Sequence, residues 1–112
     1  MKTIIDWLKF RTLSDPFVVL EAIRPAFGTA ASLLTLEDGG RGKDGWESRK
    51  LLKMAGDILL ATIDYGGEIQ RGWLRFDMSG QGCEWVQDWQ KIASLHGVLD
   101  TAEIRRCDLA LT

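Results

Sequence analysis

The chain lacks any apolar run long enough to span a bilayer. Its longest, "ILLATI" (residues 58–63), falls far short of the roughly 20 residues a membrane helix needs. Asp6 and Lys9 interrupt the N-terminal apolar stretch too early for a secretory signal, so a cytoplasmic protein with no membrane partner is expected. Cysteine is scarce: Cys83 and Cys107 form neither a metal-ligand spacing nor a disulfide framework, which fits a reducing compartment. The single histidine, His96, has no ligating or acid–base partner near it in sequence. The single tyrosine, Tyr65, precedes a Gly66-Gly67 turn as an ordinary strand-end aromatic. Basic excess is missing too. Fourteen Lys and Arg stand against sixteen Asp and Glu, a net charge of −2, whereas sequence-independent DNA binding works by releasing counterions to clustered cations.

What is present describes one compact α+β domain over residues 1–112. Hydrophobic residues make up 46% and charged residues 27%, a globular balance, and a chain of this size buries a core without staples. No internal repeat or low-complexity tract appears. "TIIDWLKFRT" (3–12) is rich in β-branched and aromatic residues and predicts a strand. Ser14 then reads as a helix N-cap, with Asp15 in the first turn and Pro16 where its missing N–H costs nothing. Pro25 and Gly28 end that helix. Residues 35–46, "TLEDGGRGKDGW", carry four glycines and predict a loop. "ESRKLLKMAGDILLATIDYGG" predicts two antiparallel strands, the first of which could instead be helical. "GWLRFDM" alternates cleanly, with Leu74, Phe76 and Met78 against Trp73, Arg75 and Asp77.

A second helix is predicted through Trp85, Trp89, Ile92 and Ala93, spaced as one apolar stripe and closed by Gly97. Its packing onto the sheet should bury Leu74, Phe76, Trp85, Trp89, Ile92 and Leu109. A last strand, "AEIRRCDLALT", alternates Cys107, Leu109 and Leu111 with Arg106, Asp108 and Ala110. The order is β-α-β-β-β-α-β: an antiparallel sheet with two helices on one face. The other face would carry Trp73, Arg75, Asp77, Arg106 and Asp108, as a binding surface or simply a wet one. Arg41, Lys43, Arg49, Lys50 and Lys53 form a local basic cluster opposed in its own window only by Asp44 and Glu47. It is either a phosphate-seeking patch or a solvated loop and strand edge.

"SGQGCEWVQDW" (79–89) turns the chain from strand to helix. As a phosphate cradle it is weak, because it lacks the Lys and Ser/Thr of a P-loop and follows no βαβ unit. Together with "DWLKF", "GKDGWESRKLL", "IDYGG" and "IRRCDLAL", however, the segment "MSGQGCEWV" resembles, in order and across the whole chain, the replication initiation factor family of filamentous phages and certain plasmids. The resemblance implies an antiparallel-sheet domain whose full-length relatives nick one DNA strand using a tyrosine and Mg²⁺ or Mn²⁺. It places Asp108 as a metal ligand. Thr112 stands where the family pattern carries a second acid, and the nucleophilic tyrosine of relatives lies further downstream. No catalytic residue and no cofactor are therefore expected for this chain alone.

Two functions follow as expectations. One is an initiator-like domain binding origin or hairpin DNA, with Trp73 stacking on a base and Arg75, Arg106 and the Arg41–Lys53 cluster meeting phosphates. The other is a small phage protein that inhibits a host nuclease or CRISPR effector by protein–protein binding.

Overall fold

The computed structural model describes residues 3–42, 44–55, 57–67, 70–95, 99 and 101–111, with side chains omitted for 3–6 and 104–111. Chain order is β1 (Thr3–Thr12), α1 (Pro16–Ile23), a 3₁₀ segment (Arg24–Leu33), β2 (Thr35–Asp38), β3 (Ser48–Met54) and β4 (Ile58–Tyr65), followed by β5 (Leu74–Met78), α2 (Gly80–Cys83), α3 (Trp89–Ala93) and β6 (Glu103–Leu111). The strands form one six-stranded sheet, β2-β3-β4-β5-β1-β6, whose neighbours all pair antiparallel. The expected α+β class holds. Among the described residues, no helix is long and apolar enough to cross a membrane.

One sheet face makes the core. Leu8 and Phe10 of β1, Leu52 and Met54 of β3, Ile63 of β4, and Leu74, Phe76 and Met78 of β5 are all buried. Phe10 and Phe76 are register partners, and their rings stack with centroids 4.6 Å apart. The helical layer covers this face with Val19, Leu20 and Ile23 of α1, Ala26, Phe27 and Ala30 of the 3₁₀ segment, and Ile92 of α3. Burial of apolar area at about 25 cal/mol per Å² drives this layer onto the sheet.

Four local expectations need correction. The cap of α1 is Asp15, whose Oδ1 accepts from the Phe17 and Val18 amides at 2.9 and 3.0 Å; the Ser14 amide instead donates to Thr12 Oγ1 at 3.2 Å. Pro25 ends the α-helix without ending the helical path, which continues as 3₁₀ turns through a kink at Gly28 (φ 57°). Residues 35–38, read as loop, are edge strand β2: Leu36 pairs with Leu52 and adds an apolar side chain to the core margin. The segment is too short, and too close to its glycines, to announce itself.

The fourth correction is the second helix, which is two. The Gln87 and Asp88 amides donate to the Ala26 carbonyl at 2.9 and 3.0 Å, and the Asp88 carboxylate caps the Gln90 amide at 3.0 Å. Tertiary bonding to the 3₁₀ segment thus outbids helical continuity between residues 84 and 88. Trp85 leaves the predicted stripe and stays 38% exposed, whereas Leu74, Phe76 and Ile92 are buried as expected. Trp89 packs half-buried against the core. Leu109's side chain, His96 and Gly97 lie outside the description. Trp89→Ala is expected to cost about 2 kcal/mol, less than the 3–5 of a fully buried aromatic, as measured by urea denaturation.

Candidate functional site

The face of the sheet opposite the helices is lined by alternate residues of five strands, and its register sets the layout. Arg11, Arg75, Asp64 and Arg49 form one cross-strand row over β1, β5, β4 and β3. Lys9, Asp77 and Thr62 form the next. Trp7 continues the β1 side, and Trp73 lies just before β5. The predicted face residues Trp73, Arg75 and Asp77 are all here. Arg106 is the register partner of Lys9, and Asp108 of Trp7; their side chains lie outside the description.

Asp64 anchors the first row. Its carboxylate is 1% exposed and receives Arg49 Nε at 2.6 Å and Nη2 at 3.0 Å, then Arg75 Nη2 at 2.7 Å and Nε at 3.2 Å. Burial would push this carboxyl up, but the hydrogen bonds and positive charges of the two arginines outweigh it and hold its pKa below the ordinary range. In return Asp64 raises Arg49, chiefly through their hydrogen bond. Arg75 is raised as well, because Asp64 and Asp44 overcome its partial desolvation.

Three tryptophans on this side each lie against a cation. The Arg11 guanidinium is 4.2 Å from the Trp73 ring centre, Arg75 is 5.5 Å from Trp46, and Lys9 Nζ is 5.9 Å from Trp7. Such pairs gain about 0.5–1 kcal/mol at exposed sites. Carboxylates also hold the same cations. Arg11 Nε is 3.0 Å from Glu103 Oε2, Arg75 Nη1 is 3.2 Å from Asp44 Oδ2, and Lys9 Nζ is 3.5 Å from Asp77 Oδ2. Asp77 Oδ1 also accepts from Trp7 Nε1 at 2.8 Å.

The basic cluster is dispersed by the fold. Arg49 and Lys53 reach the open face, while Lys50 alternates to the other side, paired in register with Asp38. Lys53 Nζ meets Glu37 at 3.0 Å and Asp57 at 3.7 Å, and the hydrogen bond to Glu37 is the main reason its pKa is raised. Arg41 is exposed and helps line an open cavity of about 580 Å³ beside Trp46 and Glu47. Lys43 lies outside the described residues. The local surplus of positive charge is thus offset by acids outside its own window. Tyr65 packs half-buried against the core. Among the described residues, no three His, Cys, Asp or Glu side chains gather around a metal-sized site.

Sequence reasoning missed Trp7, Lys9, Arg11, Trp46 and Asp64. The first three were legible as the odd positions of β1, opposite Leu8 and Phe10. Asp64 was not, because nothing local marks an acid that two arginines from different strands will enclose. Comparison with protein-family models, curated proteins and solved structures returned no match.

Proposed function

We propose that this chain is a DNA-binding domain of the replication-initiator kind, and that the open face takes single-stranded or hairpin DNA. The observation that carries this is the set of three tryptophans, Trp7, Trp46 and Trp73, on one side of an antiparallel sheet whose other side carries the core. Every base has a π-face, so an indole platform holds unpaired bases without requiring a net positive field. The motif resemblance points the same way. Because Lys9, Arg11, Arg49 and Arg75 already have carboxylate partners, binding should be modest and its salt dependence shallow, on the order of one or two phosphate contacts. Strand cleavage is not assigned to the chain.

Fluorescence anisotropy with labelled single-stranded and hairpin DNA at low salt tests the assignment. Trp73→Ala should weaken binding by about 1–3 kcal/mol with little change in salt slope, because stacking releases few counterions. Absence of binding at low salt, where attraction is strongest, would refute it.

A protein partner is the second reading, favoured by the same pairing of charges. A face rich in Trp and Arg whose charges are already balanced has the composition of a protein interface centre. A pull-down that returns one host nuclease or effector, and loses it with Trp73→Ala, would establish that reading in place of the first.

A further inference from the structure

At the α2 end of the open face, Trp7, Leu59, Thr62, Asp77, Ser79 and Gln81 line a cavity of about 250 Å³. It is smaller than the 300–1,000 Å³ of sites for drug-sized ligands, so it has room for one planar ring system and little more. Its walls are of two kinds. Leu59 and the Trp7 ring are apolar, and Leu59 stays 43% exposed at the mouth. The polar side is formed by the Asp77 carboxylate and by Thr62, Ser79 and Gln81. The Ser79 hydroxyl is not used to cap α2, and the Thr62 backbone is held in the ladder between β3 and β5.

Asp77 decides what fits. Its Oδ1 accepts from Trp7 and its Oδ2 faces Lys9, which orients the carboxylate and leaves each oxygen a further lone pair. Two parallel acceptors side by side match a ligand edge carrying two adjacent N–H donors. Guanine is the base with that edge, in its ring N–H and exocyclic amine. Adenine and cytosine carry a donor next to an acceptor, and thymine has one donor between two acceptors.

We propose that this cavity receives a single unstacked guanine from the bound strand, its donor edge on Asp77 and its ring against Trp7. The proposal rests on the DNA-binding reading above and supplies the sequence preference that the tryptophan platform lacks. The test uses a labelled oligothymidylate with one central residue replaced by guanine, hypoxanthine, adenine or cytosine, and reads the affinity ratio of each to the unsubstituted strand. Guanine should bind about tenfold tighter, as a bidentate base contact discriminates. Hypoxanthine, which lacks the exocyclic amine, should lose most of that gain. Asp77→Asn removes one of the paired acceptors, and Leu59→Trp fills the mouth from an exposed position. Both should bring the guanine ratio close to one, with circular dichroism confirming that each variant is folded.

Free deoxyguanosine, followed through the Thr62 and Ser79 amide signals by NMR, keeps the two proposals separable. Equal binding of all the oligonucleotides overturns the guanine site and leaves DNA binding standing. Failure of every oligonucleotide to bind, with those two signals still moving, overturns the DNA reading and supports the cavity as a guanine site. If neither is seen, both proposals fall.

Discussion

Asp64→Ala should destabilise the fold by about 3 kcal/mol. Removing one partner of a buried ion pair typically costs 3–5 kcal/mol, because the charge left behind has lost its water and its counterion. Here the lower end applies. The Arg49 and Arg75 side chains remain 17% and 27% exposed, so both can regain some hydration once the carboxylate is gone. They would still face each other across β4 as like charges. Asp64→Asn keeps the volume and one acceptor and should lose less. Equilibrium urea unfolding of the three proteins orders them, and an Asp64→Ala loss below about 1 kcal/mol would show that the arginines need no buried anchor.

The same residue gives the fold an acid sensitivity of definite sign. Its carboxyl is depressed in the folded state relative to an ordinary value of 3.8. Stability from the pair is therefore fully present above that value and is lost as pH falls through the lower folded one. Wild type should lose stability steeply below about pH 4, and Asp64→Asn, with nothing to protonate there, should lose it more gradually. If the two acid profiles run parallel, Asp64 is not the titrating group.

How much of this was legible in the sequence differs by kind of signal. The alternation of "LRFDM" placed Leu74, Phe76 and Met78 in the core and Arg75 and Asp77 on the open face, because strand periodicity is local and exact to one residue. The spacing of Trp85, Trp89 and Ile92 misled, since helical periodicity says nothing of a backbone amide that finds a better acceptor elsewhere. Gln87 and Asp88 found it at Ala26, 61 and 62 residues away along the chain. Charge was the least legible. Arg49 and Lys53 lie in a window opposed only by Asp44 and Glu47, yet Asp64, Glu37 and Asp57 reach them through strand pairing and a turn. A local surplus of cations becomes a surface property only after the sheet has chosen its neighbours.

Gly82→Ala is expected to cost about 3 kcal/mol or more, at or above the top of the usual range for overpacking. Gly82 is buried in α2, and its backbone is helical, so the requirement is for space and not for an unusual conformation. A Cβ there would collide with the Leu60 carbonyl oxygen and would stand 2.5 Å from Met78 Cγ and 2.9 Å from the Leu60 carbonyl carbon. The methionine could swing aside. The carbonyl cannot, because Leu60 is the extra residue where the β3–β4 register shifts between the Leu52–Ala61 and Lys53–Leu59 pairs, and moving it would disturb the strand pairing around that bulge. The glycine in "SGQGC" therefore lets α2 sit directly on a strand backbone. That contact also fixes Ser79 and Gln81 at the cavity. Gln81→Ala, exposed and one residue away, should change stability by no more than about 0.5 kcal/mol. The pair of variants separates the two roles of the segment: Gln81 touches the cavity without carrying the fold, and Gly82 carries the fold that shapes the cavity. A Gly82→Ala loss under about 1 kcal/mol would mean that α2 slides off the bulge at little cost, and the cavity walls would then have to be set by something other than this contact.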